Sequence, residues 1–394
     1  MIHIVGYSGL PLPPESAALV AQAHRVVAPA SLLEAMGIAA ERRLPFHNTI
    51  PDLAACIRMA HQQGDICILA SGDPLLFGLG ASLAPYLAEE AVRIWPAVSS
   101  LQLLAAALAR PWHNWRVVSI HGRNHLHGLW ASLTHAAETV VFTDPQHGPA
   151  WLGRLLLERE AGEAFLIHVG EGLGTSRQRI STLTPAQATN THFEDPNLVL
   201  VERTGPGLLF SCDAEGLAHD GTITKPATRA LALGLLDPCP EAVFWDVGAG
   251  SGLVGLDAVR RMPYGQAFAI EPQTQRVAFL RANRKHTRAW MLEIIPSPLA
   301  EAASSLPRPS HVFWGGGMTE PNLAILAERL LPHGRIVASM VRLEAVEMLR
   351  RCAPALGLQL ELHHLQHAVA APLADGSRLV PSNPVFLALL TPTS

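Results

Sequence analysis

The chain has 394 residues, which at typical domain sizes predicts two to three domains and argues against one compact core. Hydrophobic residues make up 49% and charged residues 16% of the sequence, a balance that suits a well-packed protein and argues against extended disorder. The formal net charge of −4 leaves no overall footprint for nucleic acid, so an anionic ligand requires a local basic pocket.

The five cysteines are odd in number, and no two lie at metal-ligand spacing. We interpret them as reduced, mostly buried thiols of a cytoplasmic protein, and we expect no metal site. The first residues, MIHIVGYSGLP, lack the basic and apolar segments of a signal peptide and are typical of a first strand. No apolar run reaches the length of a membrane helix, so we expect no membrane partner.

The first half of the chain alternates short β-branched runs with Ala- and Leu-rich stretches. The strand candidates are 2–5, 66–70, 92–95, 117–120, 139–144, 165–169 and 197–202. The helix candidates are 15–24, 52–63, 99–108 and 149–160. Such alternation predicts an α/β fold with mainly parallel sheets.

The alternation restarts in the second half. The strand candidates there are 243–247, 267–271, 292–295, 311–314, 335–340, 358–365 and 385–390. Only a loop that contains Pro372, Gly376 and Pro381 separates the last two, which predicts an antiparallel pair at the end of a parallel sheet. Two glycines and a proline interrupt the pattern at RTGPG, 203–207. We therefore predict one domain over 1–205 and another over 206–394.

A glycine turn follows the strand VFWDV. Asp246 ends this strand, and Gly248, Gly250 and Gly252 follow it at two-residue spacing. Glycines let the backbone turn tightly and approach a ligand. Glu271 closes the next strand, where an acidic side chain can accept hydrogen bonds from both ribose hydroxyls. The turn is similar to the nucleoside-binding turn of class I S-adenosylmethionine methyltransferases.

Two alternatives exist for this turn. It could be purely structural, with Ser251 capping the following helix. It could also serve a nicotinamide-dependent reductase, but a dinucleotide fingerprint needs its third glycine three places after the second. Leu253 occupies that place, which argues against the reductase.

A second glycine turn, SGDPLLFGLG over 71–80, follows the strand ICILA. Gly72, Asp73 and Pro74 would lie at the carboxyl end of that strand, the edge at which open α/β sheets bind ligands. Considered by itself, this loop is better explained as a helix start with Asp73 as the N-cap.

The loop GDPLLFG resembles the glycine-aspartate-proline loop of the tetrapyrrole methylases, the class III methyltransferases of corrin and sirohaem synthesis. Other segments occur in the order that this family shows: IHIVGYSG at the N-terminus, PAVSSLQLLAAALARPW (96–112), VSIHGR (118–123) and VLVERTG (199–205). The resemblance implies two α/β subdomains in the first half.

The second half is similar to the companion Rossmann-like class I enzymes of the same pathway. The matching segments are DGTITKPATRALAL (220–233), WDVGAGSG (245–252), AIE (269–271), VFWGGG (312–317) and GRIVASMVRLE (334–344). The whole chain therefore resembles a fused, bifunctional methyltransferase of aerobic cobalamin synthesis. Such an enzyme methylates a precorrin at C5 with its first half. Its second half methylates C15 and removes the carboxyl of an acetate side chain, giving precorrin-8X.

The resemblance also implies which residues act. The residues implied in binding S-adenosylmethionine, one molecule per domain, are Gly72, Asp73, Pro74, Ser99, Ser100, Thr224, Asp246, Gly248, Gly250, Gly252, Glu271, Gly315 and Gly316. The basic residues implied at the reacting tetrapyrrole polycarboxylate are His121, Arg123, Lys225 and Arg229. Arg110 and Arg342 are further candidate cations. We expect a homo-oligomer. In an alternative, only the second half is catalytic and the first half survives as a degenerate binding module.

Overall fold

The computed structural model describes residues 1–47, 49–120, 126–209 and 216–393. Contacts divide the described residues into two compact units. The first unit contains the described residues within 1–121, 140–153 and 167–200. The second unit contains the described residues within 122–139, 154–166 and 201–394. Two segments of the first half thus group with the second unit, which the sequence pattern does not indicate. The domain division at 205/206 stays a prediction.

The first part of the chain forms a four-stranded parallel sheet in the order β2-β3-β1-β4. The strands are β1 Ile2–Tyr7, β2 Arg25–Val27, β3 Ile66–Ser71 and β4 Val92–Trp95. The helices are α1 Pro14–Gln22, α2 Ala30–Ala35, α3 Ile50–His61, α4 Leu79–Leu83 and α5 Ser100–Leu108. Ile66 and Ile68 pack into one core cluster, while Cys67 and Leu69 pack into another. Both faces of the sheet are therefore covered, which explains its continuous apolar strands.

The next strands form a five-stranded sheet in the order β5-β6-β9-β7-β8, and β7 and β8 pair antiparallel. They are β5 Arg116–Ser119, β6 Glu138–Phe142, β7 Phe165–Glu171, β8 Arg179–Leu183 and β9 Asn197–Arg203. The helices are α6 His127–His135, α7 Pro149–Glu158 and α8 Pro185–Thr189. The two sheets confirm the expected α/β class.

The second unit contains a seven-stranded sheet in the order β12-β11-β10-β13-β14-β18-β15. Its strands are β10 Val243–Val247, β11 Gln266–Ile270, β12 Leu292–Ile295, β13 His311–Trp314, β14 Arg335–Met340, β15 Leu358–Leu365 and β18 Val385–Pro392. The helices are α9 Pro226–Leu236, α10 Leu253–Val259, α11 Thr274–Thr287, α12 Leu299–Ala302, α13 Glu320–Arg329 and α14 Leu343–Cys352. β10 to β14 pair parallel and β18 pairs antiparallel with both neighbours, as predicted.

The prediction of a bare loop between the last two strands is wrong. Residues 368–373 and 376–381 form the antiparallel hairpin β16 and β17, a two-stranded sheet of its own. Its prolines suggested a loop because proline cannot donate to a ladder. In a two-stranded sheet each strand has an open edge, and proline is tolerated there.

The expectation of mostly buried thiols is also wrong for the described residues. Cys67 is buried, Cys56 and Cys352 are partly buried, and Cys239 is exposed. Burial raises the pKa of the Cys67 thiol to about 12. No helix within the described ranges is both long enough and apolar enough to cross a bilayer.

Candidate active site

A cavity of about 440 Å³ opens at the carboxyl end of the seven-stranded sheet. Its walls are the turns that follow β10, β11 and β13, together with the end of β14. The predicted site residues that line it are Thr224, Lys225, Gly248, Gly250, Glu271, Gly315 and Gly316. The carboxyl edge is where open parallel sheets bind their ligands, so the topology itself places the cavity.

In the glycine turn after β10, Gly248 and Gly250 are glycines for different steric reasons. A Cβ on Gly248 would lie 2.7 Å from the backbone nitrogen of Gly316, so the first glycine lets two turns approach each other. Gly250 has φ +59, and a Cβ there would meet no atom of the described part of the chain within 4 Å. Its outer side therefore faces open space in the cavity, as a cofactor cradle requires.

Glu271 is buried and lines the cavity. One of its oxygens, Oε2, accepts a hydrogen bond from Gly250 N at 2.9 Å, and Oε1 accepts one from Gln273 N at 3.0 Å. A carboxylate can accept about four hydrogen bonds, so each oxygen keeps a free acceptor direction. The geometry therefore fits a group that presents two neighbouring hydroxyls, such as a ribose.

Asp246 does not line the cavity. Its Oδ2 accepts a hydrogen bond from Gly255 N at 2.8 Å, while Oδ1 is buried and has no hydrogen-bond partner among the described residues. Burial is the main cause that raises the pKa of Asp246 to about 7, and the charge of Glu271 contributes in the same direction. A Cβ on Gly255 would lie 2.9 Å from Oδ2, so this helix position must be small.

A segment without regular structure, residues 218–225, covers one side of the cavity, and we call it the strap. Asn283 fastens its beginning: Oδ1 accepts a hydrogen bond from Ala218 N at 2.7 Å, and Nδ2 donates to Ala218 O at 2.9 Å. The same Nδ2 donates to Ser251 O at 2.9 Å in the glycine turn. An ion pair at 2.9 Å between Arg276 and Asp220 fastens its middle.

Arg229 fastens the end of the strap and is almost fully buried. Its Nη1 donates to Thr224 O at 2.6 Å, and its Nε donates to Asp257 Oδ2 at 2.8 Å. This placement favours positioning of the strap over direct contact with a substrate. Lys225, by contrast, is exposed where the strap meets α9 and lines the cavity.

Gly252 also lies outside the cavity lining. Its backbone has φ +80, and a Cβ there would collide with Leu280 Cδ2 of α11. Gly252 therefore allows α10 to start close to α11. Ser251 does not cap that helix, because Gly252 is the N-cap residue and no side chain caps it. Arg342 borders a neighbouring cavity of about 370 Å³ that shares the glycines at 315–317.

The predicted residues of the first unit also lie at a carboxyl edge, that of the four-stranded sheet. Gly72 has φ +69, and its N–H donates to Tyr7 O at 2.7 Å. Asp73 Oδ1 accepts a hydrogen bond from Leu75 N at 2.9 Å. Pro74 is buried, and a Cβ on Gly6 would lie 2.9 Å from its Cδ. Close packing with β1 thus fixes the loop.

Ser99 is the N-cap residue of α5 and forms a capping box with Gln102. Ser100 follows at the first turn, and its backbone nitrogen would lie 3.9 Å from a Cβ on Gly72. The structure thus brings the second glycine turn and the start of α5 together. His121 and Arg123 lie outside the described residues.

Several residues of the second site were not predicted from the sequence. Gln273, Arg276 and Phe313 line the cavity, and Asn283 joins the strap to the glycine turn. Gln273 lies two residues after Glu271, so its closeness to that predicted ribose ligand could have identified it from the sequence. Asn283 lies in the last turns of α11 and carries no local signal, because its partners are 32 and 65 residues away. Within the described ranges, no three His, Cys, Asp or Glu residues are placed to hold a metal ion.

Two family models match adjoining parts of the chain. Residues 7–188 match the tetrapyrrole (corrin/porphyrin) methylases, and residues 215–391 match a precorrin methyltransferase domain. The cavity described above lies within the second match.

Curated relatives show the same two parts. The cobalt-precorrin-7 C(5)-methyltransferase of Salmonella typhimurium is 32% identical over 36% of this chain and 69% of its own length. The cobalt-precorrin-6B C(15)-methyltransferase (decarboxylating) of the same organism is 31% identical over 42% of this chain and 86% of its own length. A precorrin-6Y C(5,15)-methyltransferase [decarboxylating] of Sinorhizobium sp is 31% identical over 86% of this chain and 83% of that relative. The chain therefore belongs to the family of precorrin-6Y C(5,15)-methyltransferases (decarboxylating).

Proposed function

We propose that this chain is a bifunctional S-adenosylmethionine-dependent methyltransferase of corrin-ring synthesis. It methylates a precorrin-6Y-type tetrapyrrole at C5 and C15 and removes the carboxyl of the ring C acetate, giving precorrin-8X. The observation that carries this proposal is the pairing of two methyltransferase matches along one chain, each with a glycine turn at the carboxyl edge of its own sheet. The relatives with single activities, one at C5 and one at C15, support it.

The second half has the groups that S-adenosylmethionine needs. Glu271 would accept the ribose hydroxyls through its free acceptor directions, and Gly250 would leave room for the nucleoside. When bound, this cofactor supplies a methyl group that is already activated on a sulfonium. The protein's task is then mainly to align the attacking carbon with that methyl group, and alignment can contribute several kcal/mol, up to about 7–11, of barrier lowering.

The strap and the glycines at 315–317 would orient the tetrapyrrole. Lys225 is exposed on the cavity wall and would pair with a substrate carboxylate. Arg229 would act indirectly, because it holds Thr224 O and its charge is already paired with Asp257. In the decarboxylation, the carbon–carbon bond breaks, carbon dioxide leaves, and the electron pair passes into the conjugated macrocycle.

The first half would bind a second cofactor molecule at Gly72, Asp73, Pro74, Ser99 and Ser100. Support comes from their common location, since the second glycine turn and the start of α5 meet at one sheet edge. The alternative, a first half without catalysis, predicts a different stoichiometry. Calorimetry with S-adenosylhomocysteine on the full chain distinguishes them, because two sites per chain indicate a bifunctional enzyme and one indicates a degenerate half. The cytoplasmic location and the homo-oligomer remain predictions.

Mass spectrometry of the product tests the whole proposal. The full chain is incubated with precorrin-6Y and S-adenosylmethionine. We expect a product that has gained two methyl groups and lost one carbon dioxide. Recovery of unchanged tetrapyrrole from folded protein would contradict the proposed function.

A further inference from the structure

Phe77 has an unusual backbone and an unusual environment. It lies in the loop after β3, has φ +53, and leaves 47% of its surface exposed. Bulky side chains rarely adopt this left-handed region, because Cβ crowds the backbone. Burying the ring would normally be favoured as well. Folding alone therefore explains neither the conformation nor the exposure.

The surrounding loop leaves Phe77 little freedom. A Cβ on Gly78 would lie 2.6 Å from Asp73 O, so the end of the loop packs closely against its beginning. Ala81 N donates to Pro74 O at 3.0 Å, which closes the loop. Leu76 packs inward against a core cluster of the five-stranded sheet. With Leu76 directed inward, Phe77 is held outward. Backbone strain that the surroundings impose is concentrated at ligand sites in proteins.

The ring lies where two sheet edges meet. The centre of the Phe77 ring is 5.2 Å from that of Phe142, the last residue of β6, with the planes tilted by 50°. A second contact joins the same two sheets: a Cβ on Gly174, after β7, would lie 2.7 Å from Ser8 O, after β1. The loop that carries Asp73 and Pro74 thus presents a half-exposed aromatic ring at the junction of the two sheets.

We infer that Phe77 contacts the tetrapyrrole and packs against one face of the macrocycle during methylation by the first half. A conjugated macrocycle is large, flat and apolar over its faces, and its carboxylates lie around its rim. Aromatic side chains bind such faces in offset or tilted arrangements, and the tilted contact with Phe142 holds the Phe77 ring in place. This inference rests on the proposed function and adds a substrate-contact residue to the first site.

The test compares Phe77→Ala with Phe77→Tyr in the full chain. With precorrin-6Y and S-adenosylmethionine, we expect Phe77→Ala to raise the KM for the first-half methylation about tenfold, a loss of about 1.4 kcal/mol. The kcat should change less, because the aligning groups remain. Phe77→Tyr keeps the ring and should restore the KM. Methylation and carbon dioxide release by the second half should not change.

Cofactor affinity provides the second measurement. S-adenosylhomocysteine binding to Phe77→Ala should stay within about twofold of the unaltered chain. Tyr86→Ala, another exposed aromatic of the first unit at 44% exposure, is the matched control and should leave both methylations unchanged. If Phe77→Ala does not fold, Phe77→Gly replaces it, since glycine adopts the same φ without strain.

Two results would overturn the inference. One is an unchanged KM in Phe77→Ala or Phe77→Gly. The other is a fall in S-adenosylhomocysteine affinity as large as the rise in KM, which would make Phe77 a cofactor contact instead. Failure of the unaltered chain to methylate the tetrapyrrole at all would contradict the proposed function, and it is seen before any variant is compared.

Discussion

Asn283 and Ala218 are joined by two hydrogen bonds, one to the N–H and one to the C=O of Ala218, at 2.7 and 2.9 Å. Because Asn283 is 1% exposed and also bonds Ser251 O, a single buried amide links the strap to the glycine turn. The side chain thus sets the distance between two walls of the cavity. A buried and fully satisfied polar group of this kind specifies one arrangement.

The first prediction concerns this link. Asn283→Ala leaves three backbone groups without this partner, the N–H and C=O of half-buried Ala218 and the C=O of buried Ser251, so the free energy of unfolding should fall by about 3 kcal/mol. S-adenosylhomocysteine affinity at the second site should fall as well, because the strap loses its anchor. Urea denaturation and calorimetry measure the two effects. Asn190→Ala, which removes an exposed bond to Ala186 O, is the control and should change neither. A stable variant with normal affinity would show that the strap is held by other contacts.

A second prediction tests the ribose site. Glu271→Ala removes the acceptor for the ribose hydroxyls and for Gly250 N, so cofactor binding at the second site should weaken by about 1–3 kcal/mol. Calorimetry on the full chain would show one weakened site and one unaltered site. Glu241→Ala removes an exposed acid of the same unit and should have no effect. Equal affinity in Glu271→Ala and Glu241→Ala would move the ribose site elsewhere.

A third prediction follows from the raised pKa of Asp246. The folded chain keeps the Asp246 proton up to about pH 7, whereas the ordinary value for the unfolded chain is 3.8. Between these values the folded state binds more protons, so its stability falls as pH rises. Asp246→Asn keeps an acceptor for Gly255 N and does not titrate. The unfolding free energy of the unaltered chain should therefore drop relative to Asp246→Asn, by on the order of 3 kcal/mol, between pH 4 and pH 7. Parallel pH profiles for the two proteins would contradict it.

A fourth prediction is that each half catalyses one methylation and that the second half also catalyses the decarboxylation. Gly250→Arg puts a long side chain into the open space of the second cavity, at a backbone with φ +59. The product should gain one methyl group and lose no carbon dioxide. Asp73→Arg, in the first unit, should leave decarboxylation and one methylation intact. Product mass distinguishes these outcomes, because each methyl and each lost carboxyl changes it by a fixed amount.

The control for Gly250→Arg is Gly37→Arg. Gly37 also has a left-handed backbone, φ +65, and open space around it, but it lies in a turn after α2. The Gly37→Arg variant should therefore catalyse both methylations. A decarboxylated product from Gly250→Arg, or loss of decarboxylation in folded Asp73→Arg protein, would contradict the assignment. If the two methylations occur in a fixed order, a block at the first could imitate the second result. A substrate already methylated at C5 separates these cases.

The strands with long apolar runs were predictable, because consecutive apolar residues within one segment indicate that the segment is buried. β3 and β10 agree closely with the predicted strands, since nearly every residue of each is buried. The three-residue strand β2 and the exposed-edge strand β8 were missed. β2 is too short to show a period, and β8 has no buried residue and no regular alternation, because its five residues are exposed, half-buried, half-buried, exposed and half-buried in turn. These strands are defined by their partners rather than by their own composition.

The α/β class, the two glycine turns and the acid at the end of β11 were predictable from local pattern, because turn geometry and strand burial require particular residues at neighbouring positions. The sequence by itself could not decide which site residue faces the cavity. Arg229 and Lys225 lie four positions apart in one motif, yet one is buried in an ion pair and the other is exposed on the cavity wall. Asn283, Ala218 and Ser251 are brought together only when α11 packs beside the glycine turn. Contacts between distant segments depend on packing and burial, and these exist only in the folded chain.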